Sequence, residues 1–464
     1  MFTEHPLDRR IAGVLPPDSL FAVGGRVRDE LRGELDNIEV PSKDLDYVVV
    51  GVSFANLESA LARLGRVDLV GASFAVIKLT VDGETVDVAL PRRERSVGVG
   101  HRDFDVASGP AVRLDEDLAR RDFRMNMIAR GVPSGALIDP YGGQADIRAR
   151  RIDVLTAATF KEDPLRLLRA AQFAARFAYG VSDAARAAMT EAAPLARSVS
   201  GERIAEELTK LFVRAERPST GLELLRETGV LAHLWPEMLE GYGVAQNEWH
   251  AFDVYRHNLA TLDAAPAGDL ILRLAALLHD VGKPRVKDGP HFYRHEHVGG
   301  DMVREMLGRF RFSNEVIETT EHLVRQHMYN QDPGLSDAAV RRFVRRVGVD
   351  RLALQFGLRH ADVEGSGMPK RDDSNERFES RVWAEVARKP PFSIADLRID
   401  GDAILSTMIR TGLAAPGFRG DKRVGDALAH LFEQVTDAPE RNEPSTLQTL
   451  LEQYLDALRG AGRA

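Results

Sequence analysis

Near its start the chain carries two runs whose residue types suit the handling of a nucleoside triphosphate. In VGGRVRD, residues 23–29, Gly24 and Gly25 let the backbone approach an anionic triphosphate with no Cβ in the way, and Arg28 supplies positive charge. In KDLDYVVVG, residues 43–51, Asp44 and Asp46 stand two apart, so in a strand both carboxylates project from one face and can hold Mg²⁺. Phosphoryl transfer needs the phosphates positioned and their developing charge neutralised, which oxygen ligands on a rigid strand achieve together with a metal. Either run alone also reads as a tight turn or a solvated strand edge; in this order they point to nucleotidyl transfer.

Further candidates follow along the chain. A hairpin turning at Asp82 and Gly83 would set Asp87 on its returning strand, as a third metal carboxylate or as an exposed strand residue. In EDPLRLLRAAQFAARF, residues 162–177, Asp163, Arg166, Arg169 and Gln172 recur every three residues and form one polar face of a helix. Asp163 before Pro164 also reads as a helix cap followed by solvated arginines. In LAALLHDVGKP, residues 274–284, adjacent His279 and Asp280 close an apolar helix, where both can face a metal.

The elements that must position these groups are a mixed α/β head to about Arg150, with FAV before the glycines as a short buried strand, and then helix after helix. The expected segments are a head at 1–150, a helical neck at 151–243, a helical domain bearing the His279–Asp280 pair at 244–367, and a linker and helical tail at 368–464. The charged, proline-containing stretch 369–392 is the linker candidate. The interval between Asp87 and Arg120 is rich in Gly, Arg and Asp without a clear period, which predicts a mobile loop.

Taken together, these motifs resemble, over nearly the whole chain, the tRNA nucleotidyltransferases of the polymerase β superfamily, in the bacterial type that builds the 3′-terminal CCA of tRNA. The resemblance implies that Asp44 and Asp46 carry the catalytic Mg²⁺. It implies that Arg121 and Asp122, in RRDFRMNMIA at 120–129, contact the incoming nucleotide and its ribose; read alone, that run is a helix with a charged first turn. Met127 replaces the family's usual alanine and is expected to pack in the core. Asp139, Gly142 and Gly143 match a motif of mainly structural role. Asp163 and Arg166 are implied to hydrogen-bond the Watson–Crick edges of CTP and ATP, so that protein is the template. A carboxylate accepts from the exocyclic amine that C and A share, and a guanidinium donates to a ring nitrogen or carbonyl. Arg169 would reach the phosphates or neighbouring base contacts, and Gln172 stands where many members have arginine. The loop before Arg120 corresponds to one kept by members that add the terminal A.

A second resemblance lies in the helical part. His257, His279, Asp280, His295, His327 and Asp362 follow the order of metal-binding HD phosphohydrolase domains. It implies a divalent metal (Mn, Fe, Ni or Mg), a water nucleophile, and phosphomonoester or cyclic phosphodiester hydrolysis. His291 and His322 are read as surface residues near that cluster. The tail resembles the family's last helical segment, which contacts the tRNA elbow, with Gly417 and Gly425 retaining part of its glycine pattern.

Composition frames these sites. The 464 residues, 44% hydrophobic, can bury several small cores, and no apolar run reaches membrane-spanning length. The first residues lack the features of a signal peptide, so a cytoplasmic location is expected. The absence of cysteine excludes disulfides, thiolate ligands and cysteine nucleophiles. A net charge of −8 does not oppose tRNA binding, because local phosphate neutralisation decides it. Arg148, Arg150 and Arg151, and the basic residues from Lys161 to Arg176, are read as facing tRNA; a third group, Arg341, Arg342, Arg345 and Arg346, is also basic.

The sequence therefore predicts an α+β chain, with a small mixed-sheet head and an all-α body containing an HD domain. Its expected activity is template-independent addition of CCA, or of the terminal A alone, to tRNA from CTP and ATP. An enzyme adding only A would need a second nucleotidyltransferase as partner. The alternative of another class is a signalling enzyme that nucleotidylates a protein and reverses the step with its HD domain; such proteins lack the RRDF and EDPLR runs.

Overall fold

The computed structural model describes residues 4–38, 45–70, 76–96, 104–332, 334–370 and 372–461. Asp44 lies outside the described residues, as do 97–103 within the expected loop. The chain divides into two compact units. The first comprises Met1–Leu239 with Ala267–Leu270 and Met306–Phe312, and the second the remainder from Glu240.

The first unit begins with α1 (Pro6–Ala12), β1 (Leu20–Val23), α2 (Gly25–Asp36), β2 (Asp46–Val49), α3 (Phe54–Leu61), β3 (Arg66–Val70), β4 (Val76–Val81) and β5 (Glu84–Ala89). After β6 (Arg92–Ser96), β7 (Phe104–Ser108) and α4 (Leu114–Ala119) come β8 (Ala129–Val132) and β9 (Leu137–Ile138). Seven strands make one mixed sheet in the order β3-β4-β5-β2-β1-β8-β9, parallel only between β2 and β5. Val23 and Val48 pack with Leu118, Met127 and Ala129, so the Met127 side chain fills the core under the strands that bear the glycines and Asp46. The β4–β5 hairpin turns at Asp82 and Gly83, both with positive φ as a tight two-residue turn requires.

The expected loop between Asp87 and Arg120 is corrected. β6 and β7 pair antiparallel from Arg92↔Ser108 to Ser96↔Phe104, and α4 follows, so most of the described interval is ordered by backbone pairing that a glycine- and arginine-rich composition does not reveal.

The unit continues through α5 (Gly143–Arg148), β10 (Arg151–Ile152), α6 (Thr159–Glu162), α7 (Leu165–Phe177), β11 (Gly180–Val181), α8 (Asp183–Ala192), α9 (Gly201–Arg214), α10 (Ser219–Glu227), α11 (Leu231–Leu234) and α12 (Pro236–Leu239). Helix α7 buries Leu167, Leu168, Ala170, Ala171 and Ala174 and keeps its polar stripe for the cleft described below.

The second unit contains α13 (Val254–Ala264), most of α14 (Leu270–Leu278) and of α15 (His295–Arg309), α16 (Asn314–Gln326), α17 (Asp337–Val347), α18 (Leu352–Gly365) and α19 (Ser374–Ala387), and then α20 (Gly401–Arg410), α21 (Lys422–Asp437) and α22 (Pro444–Ala461). The linker expected at 369–392 is also corrected. It holds the fourteen residues of α19, whose Phe378 and Val382 pack against Val340, Phe343, Val344 and Phe356. Its apolar residues four apart form one buried helical stripe, outvoting the charged and proline-containing composition around them. The last three helices enclose their own core around Leu431, Val435, Leu447 and Leu451.

Candidate functional site

The first site is a cleft of about 520 Å³ in the first unit. One wall begins at the turn from β1 into α2. Gly24 has φ +69°, and a Cβ there would lie 2.9 Å from Arg121 Nη1 and 3.7 Å from Asp46 Oδ2. A side chain would therefore fill the gap between an arginine and the metal-binding candidate, and only glycine adopts this backbone without strain. The N-terminus of α2 has no side-chain cap and no acidic residue in its first turn, a geometry that favours an anion.

Asp46 opens β2 and lines the cleft, while Tyr47 points to the opposite face, as strand alternation requires. On that hidden face Asp8 accepts from Arg26 at 2.7 and 2.6 Å and from Tyr47 Oη at 2.6 Å. Arg26 also pairs with Glu30 at 3.0 Å. This buried network ties α2 to β2 and thereby sets the glycine turn against Asp46. Across the parallel pairing Asp46 is in register with Asp87, so the two carboxylates share a face. Asp87 also pairs with Lys78 at 3.1 Å and stays 42% exposed.

Arg121 and Asp122 leave the end of α4 in an irregular turn, so the reading of RRDF as a helical first turn does not hold. Arg121 is paired with Asp117, which is fully buried and also holds Arg120. Burial disfavours ionisation of Asp122, but Arg169 at 2.7 Å and a hydrogen bond from Asn126 outweigh it, holding the carboxyl at about 2. Arg28 lines the cleft with its donors committed to Asp29 and Asn126, each at 2.8 Å.

The opposite wall is the polar face of α7. Asp163, Arg166, Arg169 and Gln172 all line the cleft, as their spacing predicts. Asp163 accepts from the Leu165 amide at 3.2 Å, a capping contact, and also pairs with Arg203 at 3.1 Å. The arginines of this face are largely buried rather than solvated, so that part of the capping reading does not hold. Arg166 donates to the Arg120 carbonyl at 2.7 Å, and the Gln172 Nε2 is buried without a hydrogen-bond partner. Sequence reasoning missed Arg203, Glu207, Lys210 and Arg214 on α9, although their spacing of three and four was the available signal. Asp139 accepts from the Gly143 and Gln144 amides and caps α5, in keeping with a structural role.

The second site is a buried cluster in the second unit. His257 comes from α13, His279 and Asp280 from the end of α14, His295 from the start of α15, His327 from the end of α16, and Asp362 from α18. All six sequence candidates converge. The four histidines each place Nδ1 2.7–3.1 Å from a backbone carbonyl, of Gly365, Ala276, Phe292 and Val324 respectively. A carbonyl only accepts, so Nδ1 carries a proton, and in the neutral ring Nε2 is then a lone pair. Those lone pairs face one another and the carboxylates. Nε2 of His257 is 3.1 Å from that of His279 and 3.2 Å from Asp362 Oδ1; Nε2 of His295 is 3.1 Å from that of His327 and 3.2 Å from Asp280 Oδ1. Acceptors this close and this buried fit a cation among them, with the carbonyl bonds fixing each ring. Asp280 turns Oδ2 toward His279 at 3.3 Å and Oδ1 toward the His295 pair, so it touches both halves. Lys283 reaches Asp280 at 2.5 Å, and Arg359 reaches Asp362 at 3.0 Å.

His250, missed in the sequence because it sits in an irregular run, joins His257 and Asp362 in a further ligand-like group. His291 is exposed and His322 donates to the Val347 carbonyl, so neither belongs to the cluster. Among the described residues no helix is long and apolar enough to cross a membrane.

Three family models match the chain: the poly A polymerase head domain over residues 20–153, the probable RNA and SrmB-binding site of polymerase A over 180–241, and the HD domain over 254–360. The multifunctional CCA protein of Cupriavidus necator is 34% identical over 404 residues, covering 83% of this chain and 92% of that protein. That of Halorhodospira halophila is 38% identical over 320 residues, covering 67% and 73%. Among solved structures, the Bacillus stearothermophilus CCA-adding enzyme in complex with CTP aligns with a TM-score of 0.63 at 20% identity, over 95% of this chain and 94% of that one. The Thermotoga maritima CCA-adding enzyme complexed with tRNA gives 0.57 at 20% identity, over 97% and 96%. The structural likeness establishes the fold, with its mixed-sheet head and helical body, and the two domain types imply use of divalent metal. With sequence identity extending over nine-tenths of a relative's length, the chain belongs to the multifunctional CCA protein family, as a tRNA nucleotidyltransferase that carries an HD domain.

Proposed function

We propose that the cleft adds C, C and A to the 3′ end of tRNA from CTP and ATP, releasing pyrophosphate. The observation that carries this reading is the single cleft between Gly24, Gly25 and Asp46 on one wall and Asp163 and Arg166 on the other. The tRNA 3′-hydroxyl attacks the α-phosphorus, the new P–O bond forms, and the bond to pyrophosphate breaks. Asp46 and Asp87, with Asp44 as the first aspartate of the motif, are the carboxylates to hold Mg²⁺, which when bound would neutralise phosphate charge and favour the alkoxide. The α2 amides and Arg121 receive the triphosphate, and Asp122 keeps Arg169 oriented.

Base selection falls to Asp163 and Arg166. Each is already hydrogen-bonded, Asp163 to Arg203 and Arg166 to the Arg120 carbonyl, so cytosine or adenine replaces a partner rather than meeting a bare charge. The amine of either base satisfies the carboxylate; uracil and guanine offer an acceptor there and leave both groups unpaired.

The HD cluster supports a second activity, hydrolysis of a phosphomonoester or cyclic phosphodiester. Four imidazole nitrogens and two carboxylates form a donor set for Mn²⁺, Fe²⁺, Ni²⁺ or Mg²⁺.

The test offers purified protein tRNAs ending at the discriminator base, at C and at CC, with CTP and ATP separately and together, resolved to single nucleotides. Three additions to the shortest substrate are expected. Extension of the CC-ended tRNA alone, by one A, would make it an A-adding enzyme; no extension would discard the reading.

A further inference from the structure

Helices α7 and α9 run beside each other along the cleft, and their facing residues come in successive levels. At the first, Asp163 pairs with Arg203 at 3.1 Å. At the second, Arg169 lies between Asp122 at 2.7 Å and Glu207 at 3.7 Å. Both levels match each cation with a carboxylate. The third breaks the pattern, because it is formed by Arg176 and Arg214, both lining the cleft, and among the described residues neither forms an ion pair.

Arg176 sits in a crowd of like charge. Its guanidinium lies 5.0 Å from the Phe177 ring, which also carries Arg32 at 3.7 Å and Arg28 at 4.9 Å. Asp29 is the carboxylate for Arg28 and Arg32. Burial, and then the neighbouring Arg28, Arg214 and Arg32, disfavour the charged form of Arg176, with Asp29 opposing. Aromatic stacking thus holds cations together at a place where the protein supplies too few anions.

That place is separate from the base-reading pair. Arg166 and Arg176 are ten residue steps apart on the helix, about 15 Å along the axis. Helix α9 lies within the segment matched by the probable RNA-binding model.

We propose that Arg176 and Arg214 form a phosphate clamp for the single-stranded 3′ backbone of the tRNA, holding the primer while Asp163 and Arg166 select the incoming nucleotide. This rests on the reading of the cleft given above. Two guanidiniums without carboxylate partners suit successive phosphodiesters, whose contacts position a strand irrespective of its bases.

The experiment uses full-length Arg176→Gln, Arg214→Gln and the double variant with CC-ended tRNA, measuring KM for tRNA and for ATP and the salt dependence of tRNA binding. The double variant should raise the KM for tRNA about tenfold, leave that for ATP within about twofold, and flatten the salt slope by about 1.4, near 0.7 for each single-strand phosphate that is no longer neutralised. Arg176→Lys and Arg214→Lys, which keep the charge, should retain most of the slope and guard against a folding defect. Unchanged tRNA KM and slope would overturn the clamp. So would a raised KM for ATP and CTP with tRNA unaffected, which would assign these arginines to the triphosphate. Failure of the wild-type protein to extend any tRNA would instead overturn the underlying reading.

Discussion

The transferase cleft and the HD cluster each gather ionisable groups, but in opposite states of completion. In the cleft, Arg28, Arg121, Arg166, Arg169 and Arg203 already have carboxylate or carbonyl partners. In the cluster, four buried imidazoles turn Nε2 toward each other and toward two carboxylates, an arrangement that needs a proton or a cation between its acceptors. The contrast teaches that the two sites recognise phosphate differently. On the proposed reading the cleft would exchange internal partners for those of a nucleotide, so selectivity would come from which exchange leaves nothing unpaired. On the same reading the cluster would select first for a divalent metal, held by its imidazoles and carboxylates, and that metal would supply an activated water for hydrolysis.

The sharpest way to break this comparison is a reciprocal pair of substitutions. Asp46→Ala should lower nucleotide addition by at least ~10³-fold, and Asp280→Ala should do the same to HD hydrolysis, the scale expected when several kcal/mol of metal-borne stabilisation is lost. Each should leave the other activity within about twofold, assayed as primer extension and as cleavage of a chromogenic phosphomonoester and a cyclic phosphodiester. Loss of both activities in either variant would mean that the sites are not independent.

A second substitution separates pairing that holds the head together from pairing that waits for ligand. Asp8→Ala strands Arg26 in the interior and should cost about 3–5 kcal/mol in denaturant melts. Arg203→Ala at the half-exposed Asp163 pair should cost under about 1 kcal/mol. Equal losses would erase the distinction.

Arg166→Ala sharpens the account of selectivity. It should narrow the preference for CTP and ATP over UTP and GTP by about 1–3 kcal/mol, the discrimination typical of a base-edge contact, more than it weakens triphosphate binding. Equal loss for all four nucleotides in single-turnover addition would end the assignment of Arg166 as part of the template.

The last expected effect is a pH dependence. Asp122 is held at about 2 against an ordinary 3.8. A depressed carboxyl contributes stability that is present in full above about pH 4 and is lost as pH falls toward 2. The loss should be about 2 kcal/mol, and it should shrink in Asp122→Asn followed by thermal melts across that range.

Much of both sites was legible because local spacing carried it. Glycines before a helix, residues three apart on α7 and a hairpin turn are features of consecutive residues, and each appeared where expected. The pairing of β6 with β7 and the helix α19 were missed because composition outweighed period in reading them. Asp8 and Arg26 were missed for another reason: they pair across 18 residues of chain, and nothing in their own neighbourhood marks that pairing.

By itself, then, the sequence determined the inventory of chemistry: a glycine turn, aspartates on strands, a polar helical stripe, and histidines in an order that suits metal. Local backbone geometry needs only the nearest residues, so periodicity exposes it. Only the tertiary structure decided which charges are spent and which remain. It placed Asp87 in register with Asp46, matched Asp163 to Arg203, turned four Nε2 lone pairs inward, and left Arg176 and Arg214 without carboxylates among the described residues. Charge pairing in a folded chain is set by distance through space, and that distance exists only once the helices and the sheet have packed.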